Sequence, residues 1–157
     1  KGLSGKEIVA VLSDISRISD LIDDAASSVR VPSGTPDISK VFSGEDYERY
    51  CAEILDAAGW KTRLTKGSGD QGVDIIAELN GRRVALQCKF YSKTVGNRAV
   101  QEAIGAMSFE RTVAGVVVSN AQFSRHAKLL ANGARVLLLH HEELPSLEER
   151  LPAVLSR

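Results

Sequence analysis

The sequence predicts an α/β domain in which a mixed central sheet is flanked by helices and preceded by an N-terminal helical extension. Two apolar segments on either side of Asn80-Gly81 have the pattern of an antiparallel hairpin. Further along, the nearly continuous apolar segments 113–119 and 134–140 enclose a helical pattern. That arrangement is typical of a strand–helix–strand crossover whose strands are buried on both faces.

Composition places the chain among ordinary globular proteins. It has 157 residues, of which 43% are hydrophobic and 25% charged, and its net charge is zero. A neutral balance does not by itself indicate a nucleic-acid-binding protein. Basic residues recur between positions 61 and 98, and this stretch either faces phosphates or is simply a solvated surface.

The hydrophobicity pattern and the cysteine content of the sequence favour a cytoplasmic protein with no membrane partner. No apolar run approaches the roughly 18 residues of a membrane span, and no signal peptide is recognised. Cys51 and Cys88 match no metal-binding spacing. We expect them to be reduced, buried thiols.

The N-terminal extension is predicted to be one amphipathic helix over residues 4–29. Ser4 is a candidate N-cap, with Glu7 three residues later in the capping-box pattern. Apolar residues then recur at steps of three and four, so the helix either packs on its own domain or forms a homodimer. The proline-containing residues 30–40 read as a linker, which divides the chain into domains 1–40 and 41–157.

The second domain is predicted to follow the order α-β-β-β-α-β-α-β, with a polar terminal helix after the last strand. Pro145 and Pro152 are candidate breaks in that terminal helix. The predicted elements are a helix at 44–58, strands at 60–65, 73–79 and 82–90, a helix at 97–109, a strand at 113–119, and helices at 122–131 and 142–155 around a strand at 134–140.

The hairpin turn sets a register that locates a polar cluster. With Asn80-Gly81 as the turn, Asp74 lies directly opposite Gln87, and opposed residues share a face with β-carbons about 5 Å apart. Lys89 follows on the same face, opposite Gly72, which is expected to leave open space for the ammonium group. Ile76 and Ala85 share this polar face. The other face carries the apolar set Val73, Ile75, Ala77, Val84, Leu86 and Cys88.

This cluster has the chemistry of a magnesium site. Asp74 and the side-chain oxygen of Gln87 are hard oxygen ligands, and the backbone carbonyl of Cys88 is a candidate third ligand. Lys89 would position or deprotonate an attacking water and stabilise a pentavalent transition state. The alternative is a cross-strand ion pair between Asp74 and Lys89 with Gln87 as a bystander. The hairpin pattern leaves both interpretations open.

Four segments of the sequence carry distinctive motifs. They are Gly-Ser-Gly-Asp-Gln-Gly-Val-Asp at 67–74, Gln-Cys-Lys at 87–89, Tyr-Ser-Lys-Thr-Val-Gly-Asn at 91–97 and Val-Val-Val-Ser-Asn at 116–120. Through these motifs, residues 44–144 resemble the Mrr-type restriction endonucleases, a branch of the PD-(D/E)xK nuclease superfamily. In that branch glutamine typically replaces the second acidic ligand, as in the Asp…Gln-x-Lys pattern here.

The resemblance implies a restriction-endonuclease-like αβββαβ core and an endodeoxyribonuclease that uses Mg²⁺, or Mn²⁺, to hydrolyse phosphodiester bonds. It implies double-stranded DNA as the partner and a role in restriction or anti-phage defence. Two rivals stay open. One is a structure-specific repair or recombination nuclease resembling junction resolvases, and the other is a catalytically silent DNA-binding or assembly module on the same fold.

The resemblance also assigns residues. It maps Asp74, Gln87 and Lys89 onto the catalytic motif, and Glu48 onto a glutamate that many relatives aim at the metal. Glu48 could equally be a solvated helix carboxylate. The glycine-rich loop 66–72 either passes along a DNA backbone or is a flexible connection. The candidates for DNA contact are Lys66, Ser68, Gly69, Gln71, Lys93, Asn97 and Gln101, the last of which matches a polar position that borders the site in relatives.

His140 and His141 form a pair with metal-ligating side chains. Adjacent residues of a strand point to opposite faces, so we expect that this pair does not chelate one metal.

Overall fold

A computed structural model describes residues 36–65 and 72–156 of the chain. The described residues belong to one compact unit. The predicted N-terminal helix, with its homodimer contact, lies outside the described residues and stays a prediction. So do Lys66, Ser68, Gly69 and Gln71 of the glycine-rich loop.

The described elements follow the predicted order. The strands are β1 (Lys61–Leu64), β2 (Ile75–Leu79), β3 (Arg82–Lys89), β4 (Ala114–Ser119) and β5 (Val136–His140). The helices are α1 (Gly44–Ala57), α2 (Asn97–Glu110), α3 (Arg125–Asn132), α4 (Leu147–Arg150) and α5 (Pro152–Leu155), with 3₁₀ helices at Ile38–Lys40 and His141–Ser146.

The five described strands lie in one mixed sheet in the order β1-β2-β3-β4-β5. β1, β2 and β3 pair antiparallel, whereas β3, β4 and β5 pair parallel. The predicted meander followed by a crossover is therefore confirmed. All six residues of β4 are buried, as its continuous apolar pattern predicted.

The hairpin has the predicted register. Leu79 pairs with Arg82 and Ile75 with Leu86. Asn80 and Gly81 both have positive φ, 51° and 74°, which is the conformation that a type I′ turn requires.

Helices cover both faces of the sheet. One face packs against α1 and the C-terminal segment, through buried side chains that include Tyr47, Leu55, Leu86, Val116 and Leu147. The other face packs against α2 and α3, through a set that includes Val100, Ala103, Val117, Ala127 and Val136. The sheet is a layer between two apolar cores.

Val73 does not lie on the face of the hairpin that the sequence predicted. It packs with Ile76, Ala85 and Ala106 of α2, on the face opposite to the expected one. The cause is a break in the ladder, because the amide of Asp74 donates to the carbonyl of Leu86 at 2.9 Å and regular pairing starts only at Ile75. The strict alternation of the strand therefore does not extend back to Val73.

The C-terminal segment is interrupted, as its two prolines indicated, and is not one continuous helix. It consists of a 3₁₀ helix that contains Pro145, followed by two short α-helices, the second of which starts at Pro152. Each proline lacks the amide hydrogen that a continuous helix needs. The segment is also not polar, since its inner side carries the buried residues Leu144, Leu147, Leu151 and Val154.

The helix predicted at 122–131 begins three residues later than expected. Ser124 caps it by accepting a hydrogen bond from the amide of Ala127 at 3.1 Å. The two preceding residues are held elsewhere, because Phe123 forms a bridge with Val95 and the carbonyl of Gln122 accepts from the Val95 amide. Among the described helices, none combines the length and apolar character needed to cross a membrane.

The buried inner side of the C-terminal segment predicts a large effect of Leu147→Ala. Leu147 is fully buried, so this change should lower the free energy of unfolding by about 2–5 kcal/mol. Leu129→Ala, at a side chain that is 59% exposed, is the matched control and should change it by less than about 0.5 kcal/mol. Urea denaturation of both variants measures the difference, and equal effects would contradict this packing.

Candidate functional site

Asp74 lies where β2 begins and contacts the end of β3. Its Oδ2 accepts a hydrogen bond from Gln87 Nε2 and another from the Cys88 amide, both at 2.6 Å. The predicted proximity of Asp74 and Gln87 is thus confirmed by direct contact, although regular strand pairing starts only at Ile75. Two charge-assisted bonds hold the carboxylate in one orientation.

Gln87 is not a bystander in this cluster. Its side chain is 5% exposed, and no hydrogen-bond donor within the described residues contacts its Oε1. A buried oxygen left without a partner costs about 1–3 kcal/mol, so its persistence requires an explanation. A hard cation next to Asp74 would satisfy this oxygen, which means that the donor set fits Mg²⁺ or Mn²⁺.

Glu48 of α1 belongs to the same electrostatic cluster. Burial, and next the negative charge of Asp74, raise the pKa of the Glu48 carboxyl to about 7. The charge of Lys89 acts in the opposite direction. Glu48 follows the fully buried Tyr47 and is itself only partly buried, as expected for a residue at the edge of the helix's apolar stripe.

Lys89 is held by a carboxylate that sequence analysis missed. Its Nζ lies 2.7 Å from Glu102 Oε2, and Glu102 Oε1 accepts a bond from Arg98 Nε at 3.0 Å. Burial acts to raise the pKa of Glu102. The two cations outweigh this effect and hold the pKa below its usual range.

A helical signal for Glu102 was available in the sequence. Residues three and four apart share a helix row, and Glu102 stands between the buried Ala99 and Ala106. A carboxylate in an otherwise apolar row needs a partner. The neighbouring Gln101, proposed from the family resemblance, is exposed on this helix, so the side chain that contacts Lys89 is Glu102.

The space beside Gly72 is filled, which corrects the expectation of an open gap. A Cβ at Gly72 would lie 2.8 Å from Glu102 Cβ and 3.0 Å from Gln87 Oε1. Gly72 also has a φ of +82°, a backbone conformation that other residues rarely adopt. Glycine therefore lets the chain pass directly against the side chains of the cluster.

Cys88 contributes its backbone to the site and its thiol to the core. The thiol is buried and hydrogen bonds to that of Cys51, and this contact together with burial raises the pKa of the Cys88 thiol. Both cysteines are free, as predicted. The N–H of Cys88 meanwhile binds Asp74, so β3 connects the core to the carboxylate.

The remaining described candidates lie outside this cluster. Lys93 is exposed on the connection that follows β3, and Asn97 is the exposed first residue of α2. Both are accessible to a large ligand, as a DNA contact requires.

The expected placement of His140 and His141 on opposite faces of one strand was wrong. β5 ends at His140 and the 3₁₀ helix starts at His141, so the two rings lie 4.1 Å apart rather than on opposite faces of a strand. With Glu142 they form a group whose ligand atoms lie within 4.8 Å of one another. Tyr47 Oη lies 3.2 Å from His141 Nδ1, and the His140 ring accepts from the Glu142 amide, so the group caps this helix and ties it to α1.

The sequence profile of the restriction endonuclease family matches residues 39–147. This chain belongs to that family. The match contains Asp74 and Gln87, which are hydrogen-bonded to each other, and Glu48 and Lys89, which interact electrostatically. It also agrees with the predicted αβββαβ core, and the restriction-endonuclease fold of the domain is thereby confirmed.

Relatives of known sequence or structure are distant. The chain is 31% identical over 90 residues to an uncharacterized protein, y4cE, of Sinorhizobium fredii, covering 50% of this chain and 23% of that protein. A protein of unknown function, AF1548, shares the fold at a TM-score of 0.53 and 20% identity, over 69% of this chain and 63% of that one.

Two restriction endonucleases have TM-scores of 0.44. MspJI, in complex with a 27-mer oligonucleotide, is 19% identical, and the match covers 100% of this chain and 37% of the MspJI chain. AspBHI, a DNA modification-dependent restriction endonuclease, is 18% identical, and the match covers 77% of this chain and 42% of the AspBHI chain. The chain therefore spans less than half the length of y4cE and of both of these enzymes.

The tight contact at Gly72 predicts that Gly72→Ala disturbs the site beyond its effect on the backbone. A methyl group there would push on Glu102 and Gln87, and overpacking of this kind costs about 1–3 kcal/mol. Gly59→Ala is the matched control, because Gly59 has a similar φ of +91° but open space around its Cβ position.

We expect Gly72→Ala to be less stable than Gly59→Ala and to bind Mn²⁺ more weakly than wild type. Calorimetric titration with Mn²⁺ and thermal unfolding measure the two effects. Equal stability of the two variants, with wild-type Mn²⁺ affinity, would show that the glycine is needed for its φ alone.

Proposed function

We propose that this domain is a Mg²⁺-dependent endodeoxyribonuclease that hydrolyses phosphodiester bonds in double-stranded DNA, with Mn²⁺ as a possible substitute. The observation that carries the proposal is the buried Oε1 of Gln87, beside the carboxylate of Asp74, to which no donor of the described residues is bonded. Membership of the restriction endonuclease family supports the reaction class.

The residues that would hold the metal are Asp74, Gln87 and Glu48, together with the backbone carbonyl of Cys88. All of them offer hard oxygen atoms. When bound, the metal supplies Lewis-acid activation of a water and neutralises charge on the scissile phosphate.

Lys89 performs the part of the reaction that needs a cation. Its ammonium group is largely buried and is paired with Glu102, so it is held in a restricted position. There it can orient the attacking water and stabilise the extra negative charge of the pentavalent phosphate. The Cys88 amide and Gln87 Nε2 keep the carboxylate of Asp74 from rotating away.

The biological role we propose is restriction or anti-phage defence in the cytoplasm, since the family is that of restriction enzymes. The complete Asp74, Gln87 and Lys89 set argues against a catalytically silent module. The same chemistry would serve a junction-cleaving nuclease, and substrate choice separates the two.

Substitution of the central residues should abolish cleavage. Asp74→Asn removes a metal-binding charge and Lys89→Met removes the cation, so each should lower the cleavage rate by about 100-fold or more. Lys128→Met, on the exposed side of α3, is the charge-matched control and should cut like wild type.

The assay uses supercoiled plasmid with Mg²⁺, Mn²⁺ or EDTA, and EDTA should stop the reaction. Wild-type rates in both site variants would refute the assignment. The same assay on linear, base-modified and four-way-junction DNA tests the role, and a strong preference for junctions over plasmid would favour the repair or recombination nuclease.

The raised pKa of Glu48 predicts that cation binding and stability depend on pH in opposite directions. Metal binding needs the carboxylate form, so the apparent Mn²⁺ affinity should rise as the pH increases through about 7. Glu48→Gln should weaken this affinity and flatten its pH dependence. Isothermal titration between about pH 6 and pH 8 measures both effects.

The free energy of unfolding should change with pH in the opposite direction to the Mn²⁺ affinity. A carboxyl with a pKa raised on folding favours the folded state below the ordinary pKa of glutamate, and this contribution is lost as the pH rises through about 7. Glu48→Gln should therefore match wild type near pH 4 and exceed its stability near pH 8 by about 1 kcal/mol, allowing for solvent screening. Glu53→Gln, on the exposed side of the same helix, is the control. Identical urea profiles of wild type and Glu48→Gln would contradict the raised pKa.

A further inference from the structure

The chain leaves β3 at Lys89, and at this point it is hydrogen-bonded to the end of β4. Ser119, which is fully buried, donates its hydroxyl to the carbonyl of Lys89 at 2.7 Å and accepts from the Ala121 amide at 3.0 Å. Ser119 is also the parallel-strand partner of Lys89. The backbone at Lys89 is thus held by a side chain as well as by the sheet.

Asn120, which directly follows Ser119, forms a second attachment to the same connection. Its Oδ1 accepts from the Tyr91 amide at 2.8 Å, and its Nδ2 donates to the Tyr91 carbonyl at 3.0 Å. One side-chain amide therefore pairs with both polar backbone groups of Tyr91, much as a neighbouring strand would. We call this pair of bonds the Asn120 clasp.

The far end of the connection is held as well. The amide of Val95 donates to the carbonyl of Gln122 at 2.8 Å, the amide of Ser124 donates to the carbonyl of Val95 at 2.9 Å, and Val95 is fully buried. Between the two attachments, residues 92–94 (Ser-Lys-Thr) are exposed. Two hydroxyl groups and an ammonium group are therefore carried on a short segment anchored on both sides.

We infer that Asn120 is a positioning residue for substrate, and that residues 92–94 form a preformed contact for a backbone phosphate of DNA. This inference rests on the nuclease function proposed above. Hydroxyl and ammonium groups are common donors to phosphate oxygens, and such contacts set the register of a protein on a duplex. Asn120 touches neither the reacting atoms nor the DNA and acts through the backbone of Tyr91.

The position of Lys93 along the chain fits this role. Lys93 lies four positions after Lys89, which limits their Cα separation to about 14 Å. Phosphates along one strand succeed each other at about 3.4 Å of helix rise, so the contacted phosphate lies within a few nucleotides of the scissile one. A segment already ordered before binding avoids the entropic cost of ordering it on the DNA.

The test is a double-mutant cycle on Asn120→Ala and Lys93→Met. Binding of a short duplex is measured by fluorescence anisotropy over a range of salt concentrations, with Ca²⁺ in place of Mg²⁺. Each single change should weaken binding by about 3- to 10-fold, and Lys93→Met should lower the salt slope by about one. Because Asn120 acts through the segment that carries Lys93, the fold-loss of DNA affinity in the double variant should be clearly smaller than the product of the two single-variant losses.

Two further measurements separate positioning from general stability. Hydrogen exchange at the Tyr91 amide should accelerate in Asn120→Ala, which reports release of the clasp directly. The single-turnover cleavage rate at saturating DNA should stay within about threefold of wild type, since Ser119 still holds Lys89. Gln122→Ala, whose carbonyl rather than side chain holds Val95, is the control and should behave as wild type.

The outcomes distinguish this inference from the function on which it rests. Wild-type binding by Asn120→Ala despite faster exchange at Tyr91, or full multiplicativity in the cycle, would overturn the positioning role while leaving the nuclease intact. A wild-type protein that neither binds nor cuts DNA would overturn the proposed function and this inference together.

Discussion

The hydrogen bonds to one oxygen of Asp74 are the interaction on which the rest of the site depends. The Gln87 side chain and the Cys88 amide both donate to Oδ2, and this joins the start of β2 to the end of β3. Because the amide nitrogen of Gln87 is used in this bond, its oxygen is left facing the cluster without a donor from the described part of the chain. The same contacts coincide with the break in the ladder that separates Val73 from Ile75.

The cluster is costly, and the fold around it compensates for the cost. Glu48 and Asp74 repel each other, which is one cause of the raised pKa of Glu48, while Lys89 and Glu102 are mostly withdrawn from water. Like charges remain near each other only where the surrounding structure holds them in place. Here the sheet carries an apolar core on each face, so the site stands at the margin of a well-packed layer.

The parallel half of the sheet determines what else can reach the site. β3, β4 and β5 end at one edge, where Lys89, Ser119 and His140 are register partners. In open α/β sheets ligands bind beyond the carboxyl ends of parallel strands, and this edge has that character. Ser119 and Asn120 follow directly from β4 and hold the connection that leaves β3. The Ser-Asn dipeptide thus has a structural reason in the hydrogen bonds that it makes.

The sequence by itself determined the fold class, the hairpin register and the facing of Asp74 and Gln87. These follow from local rules, since a type I′ turn sets the pairing of its strands and periodicity sets which side is buried. Tertiary structure alone decided the partner of Lys89, the side on which Val73 packs, and the close approach of the His140 and His141 rings. The breaks in the C-terminal segment were indicated beforehand by Pro145 and Pro152. Glu102 approaches Lys89 only because α2 crosses the sheet there, and no spacing along the chain encodes the position of a helix over a strand. Contacts within one hairpin are local in sequence, whereas these others form between elements that meet only when the layers pack.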